Sequence, residues 1–280
     1  MAAYDLLVID PQNDFLDIPG AALPVPGANA DMQRLADWLH GHLAQVQSIT
    51  VTLDSHASVG VERTTFWQDA QGQSVPPFTL ITAADVRAGT YAPRHAAKRA
   101  EVLHYLQALE AGGQRQLIVW PVHCVTGTWG HTLHSALAQA LAAWEEASGR
   151  VCHKVLKGQH PLTEQYSALR AEVPREDDAR TQLDQALLQK LAAQTGLLLI
   201  AGEALSHCVA ASVDDLLAHL PAQRLQRTVL LTDCMSPVTG FEAMGQDFLQ
   251  RARGQGVRTL ALGELAEQTN AVQTARAPQP

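Results

Sequence analysis

Short apolar runs alternate with longer amphipathic stretches along most of the chain. The apolar runs predict strands at residues 4–10, 48–53, 116–120, 151–156, 196–201, 227–232 and 257–262. Several of these runs are apolar throughout, which is typical of parallel strands that are covered on both faces of a sheet. The pattern therefore indicates a buried, parallel sheet.

The amphipathic stretches predict helices at residues 28–44, 95–111, 130–147, 178–194, 208–218 and 241–254. In the first of them, Leu35, Trp38, Leu39 and Leu43 recur at the spacing of one helix face. Strands that alternate with helices of this length favour βαβ units. We expect an α/β fold with a doubly wound, mostly parallel sheet of six or slightly more strands and with helices on both faces.

Residues 57–94 interrupt this alternation, because they show no clear helix or strand pattern and are punctuated by prolines. The segment also carries Phe66, Trp67, Phe78 and Tyr91, which distinguishes it from a linker. A loop of this length in a compact domain is usually functional. We expect it to pack on the domain and to shape a pocket or an oligomer contact.

Composition and charge exclude several classes of protein. The chain has 280 residues, of which 46% are apolar, and its 20 Lys+Arg against 28 Asp+Glu give a net charge of −8. An acidic chain offers no electrostatic footprint for nucleic acid. No apolar run approaches the roughly 20 residues that span a bilayer, and the N-terminus shows no signal peptide. The four cysteines lack any CxxC pair, which fits a reducing compartment. We expect a soluble, cytoplasmic protein without nucleic-acid or membrane partners.

Polar side chains with catalytic potential follow the predicted strands. In an open α/β sheet, ligands bind beyond the carboxyl ends of the strands. Asp10 follows the first strand and is either a turn-capping aspartate or a general base tuned by burial. Lys157 follows the fourth strand and is either an exposed strand-end lysine or a cation that lowers the pKa of a thiol.

Three further residues have the chemistry of a metal site. Asp54 and His56 are two positions apart in an extended segment, so their side chains share a face. With His123 they supply one oxygen and two nitrogens, and three protein ligands are typical of a catalytic metal. An Asp-x-His pair alone also occurs by chance in surface turns, so the spacing leaves both readings open.

Cys208 is the strongest candidate nucleophile among the cysteines. It lies at the predicted start of a helix, where the dipole and the free amides favour a thiolate and bind an oxyanion. Cys124 adjoins a candidate metal ligand but also suits a core position. We interpret His207, which precedes Cys208, as a packing residue or one that acts behind the site. Asp10, Lys157 and Cys208 together form a set suited to nucleophilic catalysis.

The chain resembles the isochorismatase-like cysteine hydrolases, and among them the nicotinamidase (pyrazinamidase) family, over residues 6–262. The motifs are VIDPQNDF (8–15), TLDSH (52–56), WPVHCVTGTWG (120–130), LKG (156–158), YSAL (166–169), GEALSHCV (202–209) and TVLLTDC (228–234). The WPxHCVxGT block is the most specific. Relatives that act on other amides or on isochorismate generally lack the DxH motif together with WPxHC.

The resemblance implies a role for each residue of these motifs. Asp10 is then the proton shuttle, Lys157 the cation that stabilises a thiolate, and Cys208 the nucleophile. The backbone amides of Ala204 and Cys208 form the oxyanion hole, with a cis peptide at Glu203–Ala204. The further roles are one divalent metal held by Asp54, His56 and His123, usually zinc with iron or manganese as alternatives, and a substrate ring held by Phe15, Trp120 and Tyr166.

The resemblance implies hydrolysis of nicotinamide to nicotinate and ammonia through a thioester, with a role in NAD salvage. It is also compatible with a homo-oligomer. The sequence departs from the family in two respects. Leu205-Ser206 replaces a Thr-acid pair, and the chain is longer at about residues 60–115. We predict a single domain over residues 1–270 with an insertion there and a flexible tail at 271–280. Glu62 lies where some relatives supply a further metal ligand, and the sequence leaves that role open. The alternatives are an amidase of another small amide, an inactive binding protein, and a thiol-redox protein.

Overall fold

Six parallel strands form the central sheet in a computed structural model of the protein, which describes residues 3–112 and 116–265. The strands in this part of the chain are β1 (Tyr4–Ile9), β2 (Val46–Asp54), β3 (Trp67–Asp69), β4 (Leu80–Ile81), β5 (Tyr91–Pro93), β6 (Leu117–Ile118), β7 (His153–Lys157), β8 (Leu197–Gly202), β9 (Thr228–Leu231) and β10 (Arg258–Leu260). The order in the central sheet is β10-β9-β8-β1-β2-β7, and every pair is parallel.

Helices pack in layers against this sheet. They are α1 (Ala28–Gly41), α2 (Ala83–Ala88), α3 (Arg99–Ala111), α4 (Ser135–Ser148), α5 (Gln185–Ala193), α6 (Ala210–His219), α7 (Ala222–Leu225) and α8 (Glu242–Gly254). Helix α1 packs on α4, and α6 packs on α8. Every residue of β1 is buried, so both faces of the sheet are covered. The predicted doubly wound α/β fold is confirmed. Within the described residues, no helix combines the length and the apolar character that a membrane crossing needs.

The strand predicted at residues 116–120 is wrong as a member of the central sheet. Only Leu117–Ile118 is extended there, and it pairs with β4 in a separate antiparallel ribbon. The position beside β2 is taken by β7. Leu117 and Val119 instead join a second apolar cluster.

Helices α4 and α5 begin later than the hydrophobic pattern predicts, because side-chain caps start them. His134 accepts a hydrogen bond from the backbone of Leu137, so α4 begins at Ser135 instead of residue 130. Asp184 caps Leu187 in the same way, so α5 begins at Gln185 instead of residue 178.

The segment at residues 57–94, which the sequence pattern leaves without elements, contains β3, β4, α2 and β5. With α3 it builds the second apolar cluster, whose buried members include Val61, Trp67, Ile81 and Leu106. The pattern missed these elements because each is only two to six residues long. The expectation that the segment packs on the protein is confirmed. The single domain stays a prediction, and residues 266–280, which include the predicted tail, lie outside the described residues.

Strand register brings the candidate residues to one edge of the sheet. Asp54, the last residue of β2, is the register partner of Lys157, the last residue of β7. Ile9 pairs with Gly202, so Asp10 and the turn after β8 begin side by side. A Cβ atom on Gly202 would lie 2.0 Å from the Ile9 carbonyl oxygen, so only glycine fits there.

Candidate active site

A fully buried lysine joins the candidate catalytic residues. Lys157 Nζ lies 2.9 Å from Asp10 Oδ2, 2.7 Å from Asp54 Oδ1 and 3.5 Å from Cys208 Sγ. It also donates a hydrogen bond to the Gln165 carbonyl oxygen at 3.1 Å. Although burial opposes its charge, the two carboxylates hold the pKa of Lys157 well above its usual value. The lysine therefore stays a cation.

Asp10 is held in one orientation beside this lysine. Its backbone takes a positive φ of 44°, which is uncommon for a residue other than glycine. Its N–H donates to Thr52 Oγ1 at 3.0 Å, and Thr52 Oγ1 donates to Asp10 Oδ1 at 2.5 Å. Burial raises the pKa of Asp10 even against the opposing effect of Lys157. A carboxyl group with a raised pKa is suited to taking up and returning a proton.

Cys208 lies in a π-helical turn, Leu205–Val209, that precedes α6. The predicted α-helix start at Cys208 is therefore wrong by two residues, since α6 begins at Ala210. The turn follows the cis peptide at Glu203–Ala204, as the resemblance implies. Candidate ligand atoms of Asp10, Asp54 and Cys208 lie within 4.8 Å of one another.

The Cys208 side chain is a thiol in the metal-free resting site. Burial raises the pKa of Cys208 well above its usual value, and the nearby carboxylates add to the effect of burial. Lys157 opposes this shift but does not outweigh it. Since only the thiolate is a strong nucleophile, the geometry requires a base next to the sulfur, and Asp10 is so placed.

Asp54, His56 and His123 form a cluster of donors that fits a divalent metal. All three are buried, and one donor atom from each lies within 4.8 Å of the others. His56 Nε2 is 2.9 Å from Asp54 Oδ2, and His123 Nε2 is 3.5 Å from the same oxygen. One carboxylate and two imidazoles suit zinc, iron or manganese.

The surroundings of the two imidazoles shift their pKa values in opposite directions. Burial alone lowers the pKa of His56, but Asp54 and Glu62 outweigh it and raise the pKa to about 9. Burial, together with the neighbouring Arg63, lowers the pKa of His123 to about 4.

A small pocket opens beside this cluster. Its lining comprises Phe15, Leu23, Asp54, Trp120, His123, Glu164, Tyr166, Ala204, His207, Cys208 and Val238. Trp120 Nε1 donates to the hydroxyl oxygen of Tyr166 at 3.0 Å, which fixes two of the aromatic walls. The sequence-predicted ring-binding residues Phe15, Trp120 and Tyr166 all line this pocket together with Cys208.

Sequence reasoning assigned no place in the pocket to two residues that line it. His207 was interpreted as packing or as acting behind the site, but its ring lies 5.1 Å from that of Trp120 on the pocket wall. Glu164 is buried on the opposite flank, and burial with the nearby carboxylate of Glu62 raises its pKa to about 8. The signal for Glu164 was an acid two residues before Tyr166, within the segment that follows Lys157.

The residues that depart from the family pattern serve the local structure. Ser206 Oγ accepts a hydrogen bond from the Val238 N–H at 3.1 Å and contacts His207 Nδ1 at 2.9 Å. Its neighbour Leu205 is buried and packs near Gly245. Leu205-Ser206 therefore holds the pocket wall and contributes no carboxylate to the metal site.

Comparisons with known proteins support the fold. No protein-family model matches the chain, and no curated protein matches it in sequence. Among solved structures, the yeast nicotinamidase Pnc1p gives a TM-score of 0.61 at 21% identity, over 92% of this chain and 99% of that chain. A nicotinamidase/pyrazinamidase from Acinetobacter baumanii gives 0.63 at 20% identity, over 95% and 99%. The pyrazinamidase of Pyrococcus horikoshii in complex with zinc gives 0.53 at 20% identity, over 92% and 99%.

Isochorismatase family proteins also match this structure across most of its length. The chain has the isochorismatase-like hydrolase fold, which is the fold that the sequence motifs imply.

Proposed function

We propose that the protein is a metal-assisted cysteine amidohydrolase of the nicotinamidase family, which converts nicotinamide and water to nicotinate and ammonia. The observation that carries the proposal is the junction of two clusters in one pocket. Cys208, Lys157 and Asp10 meet there with the donors of Asp54, His56 and His123. A nucleophile, a cation and an acid/base beside a metal site match the requirements of amide hydrolysis.

The pocket walls favour a small aromatic amide as the substrate. Phe15, Trp120 and Tyr166 line the pocket, and aromatic side chains favour contact with a flat ring. Asp54, His56 and His123 would hold the metal, which supplies a Lewis acid for a ring nitrogen when it is bound. The solved structures that share this fold include nicotinamidases and a zinc-bound pyrazinamidase, and zinc is accordingly the metal that we propose.

In the first half of the proposed reaction, Asp10 removes the proton from the Cys208 thiol. The sulfur then attacks the carboxamide carbon, and Asp10 returns the proton to the nitrogen as the C–N bond breaks and ammonia leaves. The positive charge of Lys157, 3.5 Å from the sulfur, stabilises the thiolate. In the second half, Asp10 takes a proton from water, the hydroxyl oxygen attacks the thioester carbon, and the proton returns to the departing sulfur.

Backbone amides would stabilise the oxyanion in both halves. The proposed donors are the N–H groups of Ala204 and Cys208, at the start and within the π-helical turn. In the part of the chain that the structure describes, no oxygen accepts a hydrogen bond from the Ala204 N–H. Such donors are usually the largest single contribution to acyl-transfer catalysis.

Ammonia release from nicotinamide by the purified protein tests the proposal. We expect release by the zinc-loaded protein, loss of at least about a thousandfold in Cys208→Ala, and loss after chelation that added zinc reverses. Benzamide, which lacks the ring nitrogen, serves as the matched substrate control and should react far more slowly. Equal rates for both amides would contradict the role of the ring nitrogen, and no release from any amide would contradict the proposal.

The second candidate is an amidase of another small amide, with the same catalytic residues. The observation that favours it is Leu205-Ser206, which places no carboxylate beside the pocket. A panel of small aromatic and aliphatic amides in the same assay separates the two candidates. We also propose a role in NAD salvage, as the resemblance implies, and a cytoplasmic location, which the cysteine pattern favours.

A further inference from the structure

Two consecutive charged residues lie buried behind the metal-site histidines. Glu62 is 3% exposed, and Arg63 has no exposed surface. Neither residue lines the pocket or takes part in the proposed reaction. Buried charges are costly unless they are paired, so their position requires an explanation.

Short polar contacts connect these two residues to both imidazoles. Glu62 Oε1 lies 3.3 Å from His56 Nδ1, and Arg63 Nε donates to the same carboxylate oxygen at 3.0 Å. Arg63 Nη1 lies 2.7 Å from His123 Nδ1. The contacts form a chain in the order His56, Glu62, Arg63, His123.

The chain runs along the side of the imidazoles that faces away from the metal donors. Both contacts are to Nδ1, whereas the Nε2 atom of each ring points to Asp54 Oδ2. The donor cluster within 4.8 Å contains Asp54, His56 and His123 but not Glu62. Glu62 is thus placed behind His56, and this position does not match that of a further metal ligand, a role that the sequence left open.

Backbone hydrogen bonds hold these two residues in place where the second apolar cluster begins. The Trp120 N–H donates to the Glu62 carbonyl oxygen at 2.7 Å, which ties Glu62 to the segment that carries His123. The Arg63 N–H donates to the Gly60 carbonyl oxygen at 2.9 Å. A Cβ atom on Gly60 would lie 2.5 Å from Glu62 Oε1, so the glycine leaves room for the carboxylate.

Metal binding through Nε2 requires the proton of each imidazole to be on Nδ1. On His56 that proton faces Glu62 Oε1, which lies 3.3 Å from Nδ1. On His123 the neighbour of Nδ1 is Arg63 Nη1 at 2.7 Å, which can only donate, so this contact does not favour a proton on His123 Nδ1. Arg63 Nη1 also donates to the Pro121 carbonyl oxygen at 3.2 Å. A carboxylate behind a metal-bound histidine fixes the tautomer and orientation of the ring.

We infer that Glu62 is a positioning residue that holds His56 for metal binding, and that Arg63 aligns the Glu62 carboxylate. The inference rests on the metal site of the proposed function. It adds to that function a determinant of metal affinity that touches neither metal nor substrate.

The test is the affinity of the metal-free protein for Zn²⁺, measured by competition with a chromogenic chelator, together with the visible spectrum of the Co²⁺-loaded protein. We expect Glu62→Gln to weaken Zn²⁺ binding by about 10- to 100-fold and to leave the shape of the Co²⁺ bands unchanged. Glu110→Gln is the matched control. It removes the same charge from a glutamate that binds the backbone of Ala83 and has no contact with the histidines, and its affinity should equal that of the wild type.

The other outcomes are distinguishable, and each overturns the inference, the proposed function or both. A Glu62→Gln affinity within threefold of wild type, on the order of 0.6 kcal/mol, shows that Glu62 does not position His56. A changed Co²⁺ band shape shows that Glu62 is a ligand. If Glu62→Gln fails to fold, Glu62→Asp replaces it, because it keeps the charge but shortens the side chain. An unchanged Zn²⁺ affinity of that variant would also overturn the inference. Amidase failure with the expected affinities overturns only the proposed function, and failure of the wild type to bind metal overturns the metal site and the inference together.

Discussion

Lys157 is a buried cation whose two carboxylate partners come from two different strands. Asp10 follows β1, and Asp54 ends β2. Replacing the lysine with alanine leaves both carboxylates buried without their cation, which costs about 3–5 kcal/mol when a buried pair is broken. We therefore expect Lys157→Ala to lower the free energy of unfolding by that amount and to abolish amidase activity.

Urea unfolding checks this expectation, with Lys98→Ala as the matched control. Lys98 makes an exposed ion pair with Glu101, and exposed pairs contribute at most about 1 kcal/mol. Similar losses of stability in the two variants would contradict the buried network around Lys157.

Glu164 is a carboxyl group whose ionisation lowers stability at high pH. Burial raises its pKa to about 8 in the folded protein, against an ordinary value of 4.5. A raised carboxyl pKa means that the folded state binds the proton more tightly, so stability is present below pH 4.5 and is lost as the pH rises towards 8. The loss is at most about 1.4 kcal/mol for each pH unit in this range.

The matched variant is Glu164→Gln, which cannot ionise. Across this pH range, we expect the metal-free variant to gain stability relative to the metal-free wild type, and thermal unfolding at a series of pH values measures the difference. A constant difference would show that Glu164 is ionised throughout.

At the scale of single elements, the turn after β7 controls how closely the strand approaches the metal site. Gly158 has a φ of +70°, and a Cβ atom there would lie 2.5 Å from His56 Cε1. Gly158→Ala therefore introduces backbone strain and also displaces His56. We expect it to lose about 1 kcal/mol of stability or more and to weaken Zn²⁺ binding.

Gly149, at the end of α4, offers a control with the same backbone conformation. Its φ is +66°, but a Cβ atom there would have no other atom within 4 Å. Gly149→Ala should share the loss of stability without any change in metal affinity. Equal metal affinities in the two alanine variants would show that contact with His56 does not matter.

At the scale of the whole molecule, two apolar clusters raise the question of cooperativity. Leu106 is buried in the second cluster, and Leu191 is buried in the cluster around the central sheet. If residues 1–270 form the predicted single domain, both clusters unfold together. Leu106→Ala and Leu191→Ala should then each show a single urea transition, with the free energy of unfolding lowered by about 2–5 kcal/mol. A second transition that appears only in Leu106→Ala would show that the two clusters unfold separately.

The sequence by itself determined the parallel strands of the central sheet, apart from the place of residues 116–120, and the polar residues that gather at its carboxyl edge. Buried parallel strands are recognisable from unbroken apolar runs, and polar residues at their carboxyl ends must meet at one edge. Asp10, Asp54, Lys157 and Cys208 were found in this way, and the motifs of the resemblance added the aromatic walls. These properties are local, since they depend on which residues end each strand.

Only the tertiary structure decided which groups lie behind and around that cluster. Glu62 lies on the Nδ1 side of His56 because its carbonyl oxygen accepts a hydrogen bond from the Trp120 N–H. Residues 116–120 lie outside the central sheet, since β6 pairs with β4 and the strand beside β2 is β7. His207 and Glu164 reach the pocket through turns that carry no periodic pattern. Contacts between segments distant in sequence settle such positions, and no pattern within a single segment encodes them.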